Sequence, residues 1–285
     1  MGLRVTPSGK PLGADIHGLD IAAGVTDEDF AALKDALWTH AVICVRGQQL
    51  SGPAQVEFAR RFGPLQYYDP NGLFRLPGAG DIIVLSNIIE DGKPVGVVEA
   101  GHHWHTDTPY TPNPPGVVLL HAIEVPHDDA GVPLGGTMAA STGFAYESLP
   151  DELKQKIAGR AALHRRDKHQ LSATRRAYPS QFDSDDLSCE HPLVRTHPAT
   201  GRKLLYANAA YTVAITGMER AESDALLEQL YAHATRPEHV YTHRWQVGDL
   251  VIWDDAAIQH YALPDYKLPQ RRRMHRATVE GGRPF

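Results

Sequence analysis

Short apolar segments rich in β-branched residues most constrain how this 285-residue chain can fold. The clearest of them cover residues 41–46, 82–85, 117–125, 250–253 and 273–279. Each is too short for a helix, and turn residues bound most of them, as expected for buried strands. Helical patterns cluster near the N-terminus and in one later insertion. This order of elements predicts an antiparallel β-sandwich or jelly roll that is flanked by helices.

Helix signals are clearest at the N-terminal end. Thr26 can cap a helix through its hydroxyl. Three acidic residues, which are favourable in a first helical turn, follow it, and an apolar face continues beyond them. A second helix is predicted over 51–62, and later ones over 150–158 and 219–233.

Length and composition favour one domain without a membrane segment. We found no internal repeat or low-complexity linker, so we predict a single domain over 1–285 with an irregular, polar insertion around 160–190. No run approaches the roughly 20 apolar residues of a membrane helix, so we expect no membrane partner. A net charge of −6 argues against nucleic-acid binding. The two cysteines, Cys44 and Cys189, indicate a reducing, cytoplasmic setting.

Two histidines and one carboxylate form the candidate metal site. The chain has 16 histidines, so a His-x-Asp triplet is expected about once by chance. Two occur, and the one from His127 to Asp129 lies in a polar, turn-rich stretch. The other comprises His105 and Asp107, ahead of an apolar strand, and His260 follows a buried strand far downstream. Two histidines and a carboxylate on one face of iron leave positions open for a chelating cosubstrate and dioxygen.

A basic run follows the second histidine. Arg272 lies twelve positions (272 − 260) after His260. On a strand, Arg271 and Arg273 point away from the face that Arg272 occupies, so we expect only one of the three to be functional. A fixed guanidinium near the metal suits the distal carboxylate of a dicarboxylate cosubstrate.

At these residues the chain resembles the taurine dioxygenase and 2,4-dichlorophenoxyacetate dioxygenase family of iron(II)/2-oxoglutarate-dependent oxygenases. The similarity covers most of the chain. The segments that carry it are 12–16, 58–65, 104–107, 191–198, 248–254 and 274–278.

The resemblance implies a mostly β fold with flanking helices, the double-stranded β-helix or jelly roll. It implies Fe(II) held by His105, Asp107 and His260, which would be the catalytic centre. The keto acid end of 2-oxoglutarate would chelate the iron, and Arg272 and Thr137 would bind its distal carboxylate.

The resemblance also indicates where the substrate binds. Arg276 matches an arginine that meets the anionic head group in sulfonate-using relatives, and Tyr68 and Tyr211 are expected to supply aromatic contacts. Gly101 stands where taurine-specific enzymes have an asparagine, so taurine itself is not expected. Residues 253–255 are Trp-Asp-Asp, where the family has Trp-Asp-Asn. We expect this replacement of asparagine by aspartate to change a turn rather than the metal.

The expected function is hydroxylation of a small anion such as a sulfonate, sulfate ester or carboxylate. Dioxygen would be consumed, succinate and CO2 released, and a carbon–heteroatom bond cleaved where the hydroxylated carbon bears a heteroatom. A homo-oligomer, dimer or tetramer, is expected from relatives. Two alternatives remain open: a zinc-dependent hydrolase that uses the same His/Asp/His site, and a non-catalytic β-sandwich binding module.

Overall fold

The structure is a computed structural model that describes residues 2–66, 74–98, 101–166 and 187–285. Its strands are β1 Arg4–Pro7, β2 Ala14–His17, β3 Val42–Val45, β4 Arg75–Leu76, β5 Ala79–Ser86, β6 Ile89–Glu90, β7 Lys93–Pro94, β8 Val117–Glu124, β9 Thr137–Ser141, β10 Ala161–Arg165, β11 Ser188–Pro192, β12 Val194–Thr196, β13 Lys203–Leu205, β14 Thr212–Ile215, β15 Val240–His243, β16 Leu250–Asp254, β17 Ile258–Ala262 and β18 Arg273–Val279. Its helices are α1 Asp27–His40, α2 Gly52–Arg60, α3 Thr142–Glu147, α4 Asp151–Ile157 and α5 Arg220–Ala234, followed by a 3-10 turn at Pro237–His239.

An eight-stranded sheet forms the first layer, in the order β1-β2-β3-β16-β8-β18-β5-β4. Strand β16 shows how its two faces differ. Leu250 and Ile252 pack with the N-terminal helices, whereas Val251 and Trp253 join a second core cluster on the opposite face. This alternation follows from the two-residue period of a strand, and burial of both faces explains why the segment is apolar throughout.

A three-stranded sheet, β15-β9-β17, forms the second layer. Residues of β9 and β17, among them Ala139 and Ile258, share a core cluster with Val118, Trp253 and other residues of the large sheet. The two sheets therefore pack face to face, as in a sandwich.

The N-terminal helices cover the outer face of the large sheet. The Thr26 hydroxyl accepts a hydrogen bond from the backbone N–H of Asp29 and caps α1, and Ser51 caps α2 in the same way. Phe30, Leu33 and Val56 lie in the core cluster between these helices and the sheet. In the described part of the chain, no helix is both long enough and apolar enough to cross a membrane.

The predicted fold class, mostly β with flanking helices, is confirmed, and the two-layer arrangement is consistent with a double-stranded β-helix. The stretch 160–190 differs from the expectation at both ends, where β10 and β11 pair with each other over five residues each. Hydrogen bonding between β10 and β11 stabilises them as strands. Their polar sequences alone did not indicate strand structure. Residues 167–186 of this stretch, and Tyr68, lie outside the described residues.

Candidate active site

The two predicted histidine ligands are neighbours because their backbones pair. The N–H of His105 donates to the carbonyl of His260 at 3.1 Å, and the reciprocal hydrogen bond measures 2.8 Å. The N–H of Ala262 donates to the carbonyl of Gly101 at 2.8 Å. The segment 101–107 thus runs beside β17, on the edge opposite to β9. As a result the imidazole centroids lie 4.1 Å apart.

The donor atoms of His105, Asp107 and His260 lie within 4.8 Å of one another, and all three residues are buried. The Nε2 atom of His105 is 3.8 Å from Asp107 Oδ1, and Nε2 of His260 is 4.0 Å from Asp107 Oδ2. Two imidazole nitrogens and one carboxylate oxygen form the donor set expected for non-haem iron(II). The residues present therefore fit the ion that the sequence predicts.

Both histidines are suited to donate a lone pair. Burial lowers the pKa of His105, and burial together with the neighbouring imidazole lowers the pKa of His260. Both rings are therefore neutral near pH 7. The Nδ1 atom of His105 lies 2.7 Å from the carbonyl oxygen of His103, to which it donates when protonated. This contact fixes the ring orientation and leaves Nε2 for a metal.

Asp107 lies between a guanidinium and a second carboxyl group. Burial alone would raise the pKa of Asp107, but the paired Arg276 guanidinium holds it well below its usual value. Burial and the nearby Asp107 raise the pKa of Asp255. Asp255 lies in the turn that was expected to change, but its Oδ2 also accepts the backbone N–H of Asp107 at 3.2 Å. The turn is therefore linked to the candidate metal site by this hydrogen bond.

Arg272 is a buried cation with spare hydrogen-bonding capacity. It is 6% exposed, and in the described part of the chain its Nε has no hydrogen-bond partner. Burial lowers the pKa of its guanidinium. Asp265, a nearby carboxylate, accepts the backbone N–H of Gly135 at 2.6 Å. Arg271, in contrast, is exposed and forms ion pairs with Glu124 and Glu90.

A glycine provides the space that Arg272 occupies. A Cβ on Gly135, whose φ is +67°, would lie 3.0 Å from Cδ and Nε of Arg272. Gly135 comes two residues before Thr137, the first residue of β9. Thr137 Oγ1 accepts a hydrogen bond from the indole of Trp245 at 3.1 Å.

The predicted substrate residues are distributed around the same histidines. Arg276 on β18 reaches Asp107, and its Nε donates to Thr278 Oγ1 at 3.1 Å. The half-buried Tyr211 ring lies 6.2 Å from the His105 ring and 5.1 Å from that of Tyr110. The structure therefore brings Arg276 and Tyr211 to the candidate metal site.

A second group of buried side chains of metal-ligand type is held together differently. Cys44, His243 and Asp249 also approach within 4.8 Å of one another. Asp249, however, is already paired with Arg46 at 2.9 Å and with His243 at 2.9 Å. Burial raises the pKa of Cys44, which keeps its thiol protonated. The Arg46 guanidinium already neutralises Asp249, and a protonated thiol is not a metal ligand. We therefore interpret this group as a structural polar network rather than a metal centre.

A β-sandwich with two histidines and a carboxylate at adjoining strand edges defines the class of non-haem iron oxygenases. The chain belongs to the taurine catabolism dioxygenase TauD, TfdA family, whose family model matches residues 4–278. This membership confirms the predicted enzyme class, a dioxygenase that uses Fe(II), 2-oxoglutarate and dioxygen.

Relatives of similar length support the assignment. The chain is 33% identical over 287 residues to the (S)-phenoxypropionate/alpha-ketoglutarate-dioxygenase of Delftia acidovorans, covering 94% of this chain and 92% of the relative. It is 32% identical over 300 residues to pentalenolactone F synthase of Streptomyces arenae, covering 97% of this chain and 95% of the relative. The solved structure of AAD-2 in complex with Mn(II) and N-oxalylglycine is 28% identical, with a TM-score of 0.79 over 100% of this chain and 98% of that one.

Sequence reasoning missed how several residues shape the surroundings of the two histidines. Gly101 has a φ of +80°, and a Cβ there would lie 3.0 Å from Cε1 of His105. The Trp253 ring packs 5.0 Å from the His260 ring. Asp255 was treated only as a turn residue. The contact between Asp255 and Asp107 spans 148 positions and leaves no local sequence pattern. The positive φ of Gly101 had a partial signal, because a glycine stands close to the His-x-Asp motif.

Proposed function

We propose that this protein hydroxylates a small organic anion at an iron held by His105, Asp107 and His260, with Arg272 anchoring 2-oxoglutarate. The observation that carries the proposal is the buried His/Asp/His group together with the buried Arg272 just before β18, whose Nε has no hydrogen-bond partner in the described part of the chain. Ferrous iron, when bound, supplies the redox chemistry by which dioxygen and 2-oxoglutarate yield succinate, CO2 and a hydroxylated carbon.

The protein's own part in metal binding is to present neutral imidazoles and one oriented carboxylate. The His103 carbonyl holds the His105 ring in one orientation. Arg276 pairs with Oδ2 of Asp107, and Oδ1 faces Nε2 of His105. These contacts orient two of the three donors, His105 and Asp107, without a metal, which lowers the cost of ordering them on binding.

Arg272 is suited to the distal carboxylate of the cosubstrate. Among the described residues the buried Arg272 Nε has no hydrogen-bond partner. Such a guanidinium carries a desolvation cost that a bound carboxylate would offset through charge-assisted hydrogen bonds. N-oxalylglycine, the ligand of AAD-2, has an oxalyl end, whose carboxylate and amide carbonyl match the keto acid end of 2-oxoglutarate in shape, and a distal carboxylate. We assign Thr137, which begins β9 close to Gly135, as the residue that assists Arg272.

Arg276 and Tyr211 form the proposed substrate side of the site. Arg276 supplies the positive charge and Tyr211 an aromatic surface, both within reach of the candidate ligands. The Delftia relative is named for a phenoxypropionate, an anion with an aromatic ring. We therefore favour a carboxylate, sulfonate or sulfate ester with an apolar body. Tyr68 stays a predicted contact.

Three broader features also remain proposals. We propose that residues 1–285 form a single domain with an insertion around 160–190, and that the protein works in the cytoplasm, since Cys44 and Cys189 are free thiols. Assembly as a dimer or tetramer stays a prediction from the family resemblance.

Succinate formation tests the proposal. Protein reconstituted anaerobically with Fe(II) and 2-oxoglutarate is exposed to air with small carboxylates, sulfonates, sulfate esters and phosphonates in turn. One class should raise succinate above the substrate-free background. Hydrolysis by the zinc-loaded protein without succinate would favour the hydrolase. Neither activity with any class would favour the binding module.

A further inference from the structure

Asp255 is a fully buried carboxyl group in the turn between β16 and β17, and it is 0% exposed. Its two oxygens accept hydrogen bonds from two different directions. Oδ2 accepts the backbone N–H of Asp107 at 3.2 Å, and Oδ1 accepts the indole N–H of Trp253 at 3.1 Å. Its own backbone N–H donates to the carbonyl of Gly116 at 2.9 Å. The side chain thus joins the segment that carries Asp107 to the end of β16.

Each of the two groups that donate to Asp255 either belongs to a candidate metal ligand or packs against one. The N–H that Oδ2 accepts belongs to Asp107 itself, whose carboxylate pairs with Arg276. The indole bound by Oδ1 packs against the ring of His260, with centroids 5.0 Å apart. One carboxyl group therefore restrains the backbone of one candidate ligand and the ring that supports another.

The turn does not need Asp255 for its own geometry. Asp254, the preceding residue, already caps the turn, because its Oδ1 accepts the backbone N–H of Ala256 at 3.1 Å. Its other oxygen pairs with His197 at 2.5 Å. Burying a further carboxyl group close to Asp107 is costly, and two hydrogen bonds only partly offset that cost. A role at the neighbouring site explains why the group is there.

We propose that Asp255 is a positioning residue that fixes Asp107 directly, and His260 through Trp253, in the arrangement that binds the metal. This inference rests on the proposed function, because it takes Asp107 and His260 as iron ligands. Residues that orient metal ligands in this way typically contribute about 10- to 100-fold to metal affinity.

The test is the Mn(II) dissociation constant of the metal-free protein, measured by the electron paramagnetic resonance signal of free Mn(II). Asp255→Ala should raise the constant by about 10- to 100-fold. Asp255→Asn, which keeps one acceptor oxygen, should raise it less. The matched control is Asp254→Ala, which removes an equally buried carboxylate one residue away. It should lower the melting temperature and leave the dissociation constant unchanged.

Each outcome separates positioning from a purely structural role. If Asp255→Ala folds and binds Mn(II) like the wild type, the proposal is overturned. It is also overturned if Asp254→Ala weakens binding as much. If Asp255→Ala does not fold, Asp255→Asn decides: a raised constant supports the proposal and an unchanged one overturns it. If the wild type itself binds no Mn(II), the proposed iron site fails first and the inference fails with it.

Discussion

Arg272 is a buried arginine, and in the part of the chain that the structure describes its Nε has no hydrogen-bond partner. Replacing it with alanine should weaken 2-oxoglutarate binding by about 2–5 kcal/mol, because the distal carboxylate would be left buried without its charged partner. Anaerobic titration of the iron-loaded protein with 2-oxoglutarate measures this. Arg271→Ala is the control, since that side chain is exposed and forms ion pairs elsewhere. Equal affinity in Arg272→Ala and wild type would remove Arg272 from the cosubstrate site.

Gly101 is expected to control the position of His105. Gly101→Ala would place a Cβ 3.0 Å from the imidazole and force a side chain into a φ of +80°. Gly78→Ala is the matched control, because its φ is +78° but no atom of the described residues lies within 4 Å of the added Cβ. Both variants should lose about 1–2 kcal/mol of stability through backbone strain. Metal titration should show weaker binding in Gly101→Ala alone, and equal metal affinity in the two variants would contradict this account.

Some residues of the candidate site could be predicted from the sequence, and others could not. His105, Asp107, His260 and Arg272 could be predicted as site residues because their chemistry is specific, and the structure brings the donor atoms of the first three within 4.8 Å of one another. Asp255 was not, because nothing local to it indicates that it meets Asp107.

At the scale of elements, pairing rather than local propensity formed the strands that the sequence did not reveal. Strand β18 has the predicted bounds, and it contributes Met274, Ala277 and Val279 to the core clusters on its two faces. Strands β9 and β17 were not predicted. They are short and contain alanine, serine or glutamine, and they are held by hydrogen bonds to each other and to β15 or His105. Strand propensity depends on such neighbours, which a single sequence does not display.

The attachment of the segment 101–107 to β17 is open to a direct test. The hydroxyl of Thr106 donates to the carbonyl of Ile258 at 3.2 Å in a buried setting. Thr106→Val keeps the shape and removes this hydrogen bond, which should cost about 1 kcal/mol and weaken metal binding. Thr39→Val removes an exposed hydroxyl-to-carbonyl bond within α1 and serves as the control. Denaturant unfolding and metal titration measure the two effects, and a Thr106 variant that matches the control in metal affinity would argue against this coupling.

For the whole molecule, buried neutral histidines predict a loss of stability in acid. Burial lowers the pKa of His164 to about 3 and that of His275 to about 4. In the unfolded chain both return to about 6.5, so between pH 6.5 and 4 the unfolded state binds more protons than the folded state. The free energy of unfolding should therefore fall as the pH falls, by about 2 kcal/mol per histidine between pH 7 and 5.

Urea unfolding at the two pH values measures this loss. The variant His164→Gln should show a smaller difference between them than the wild type. A free energy of unfolding that is the same at pH 7 and pH 5 would contradict the prediction.

The most direct test of the central claim is the metal content of protein reconstituted anaerobically with Fe(II) and freed of excess ion. The account predicts one iron per chain in the wild type and in His127→Ala, which alters the exposed His-x-Asp triplet, and loss of iron in His260→Ala. Full iron retention by His260→Ala, or its loss from His127→Ala, would contradict a centre built on His105, Asp107 and His260.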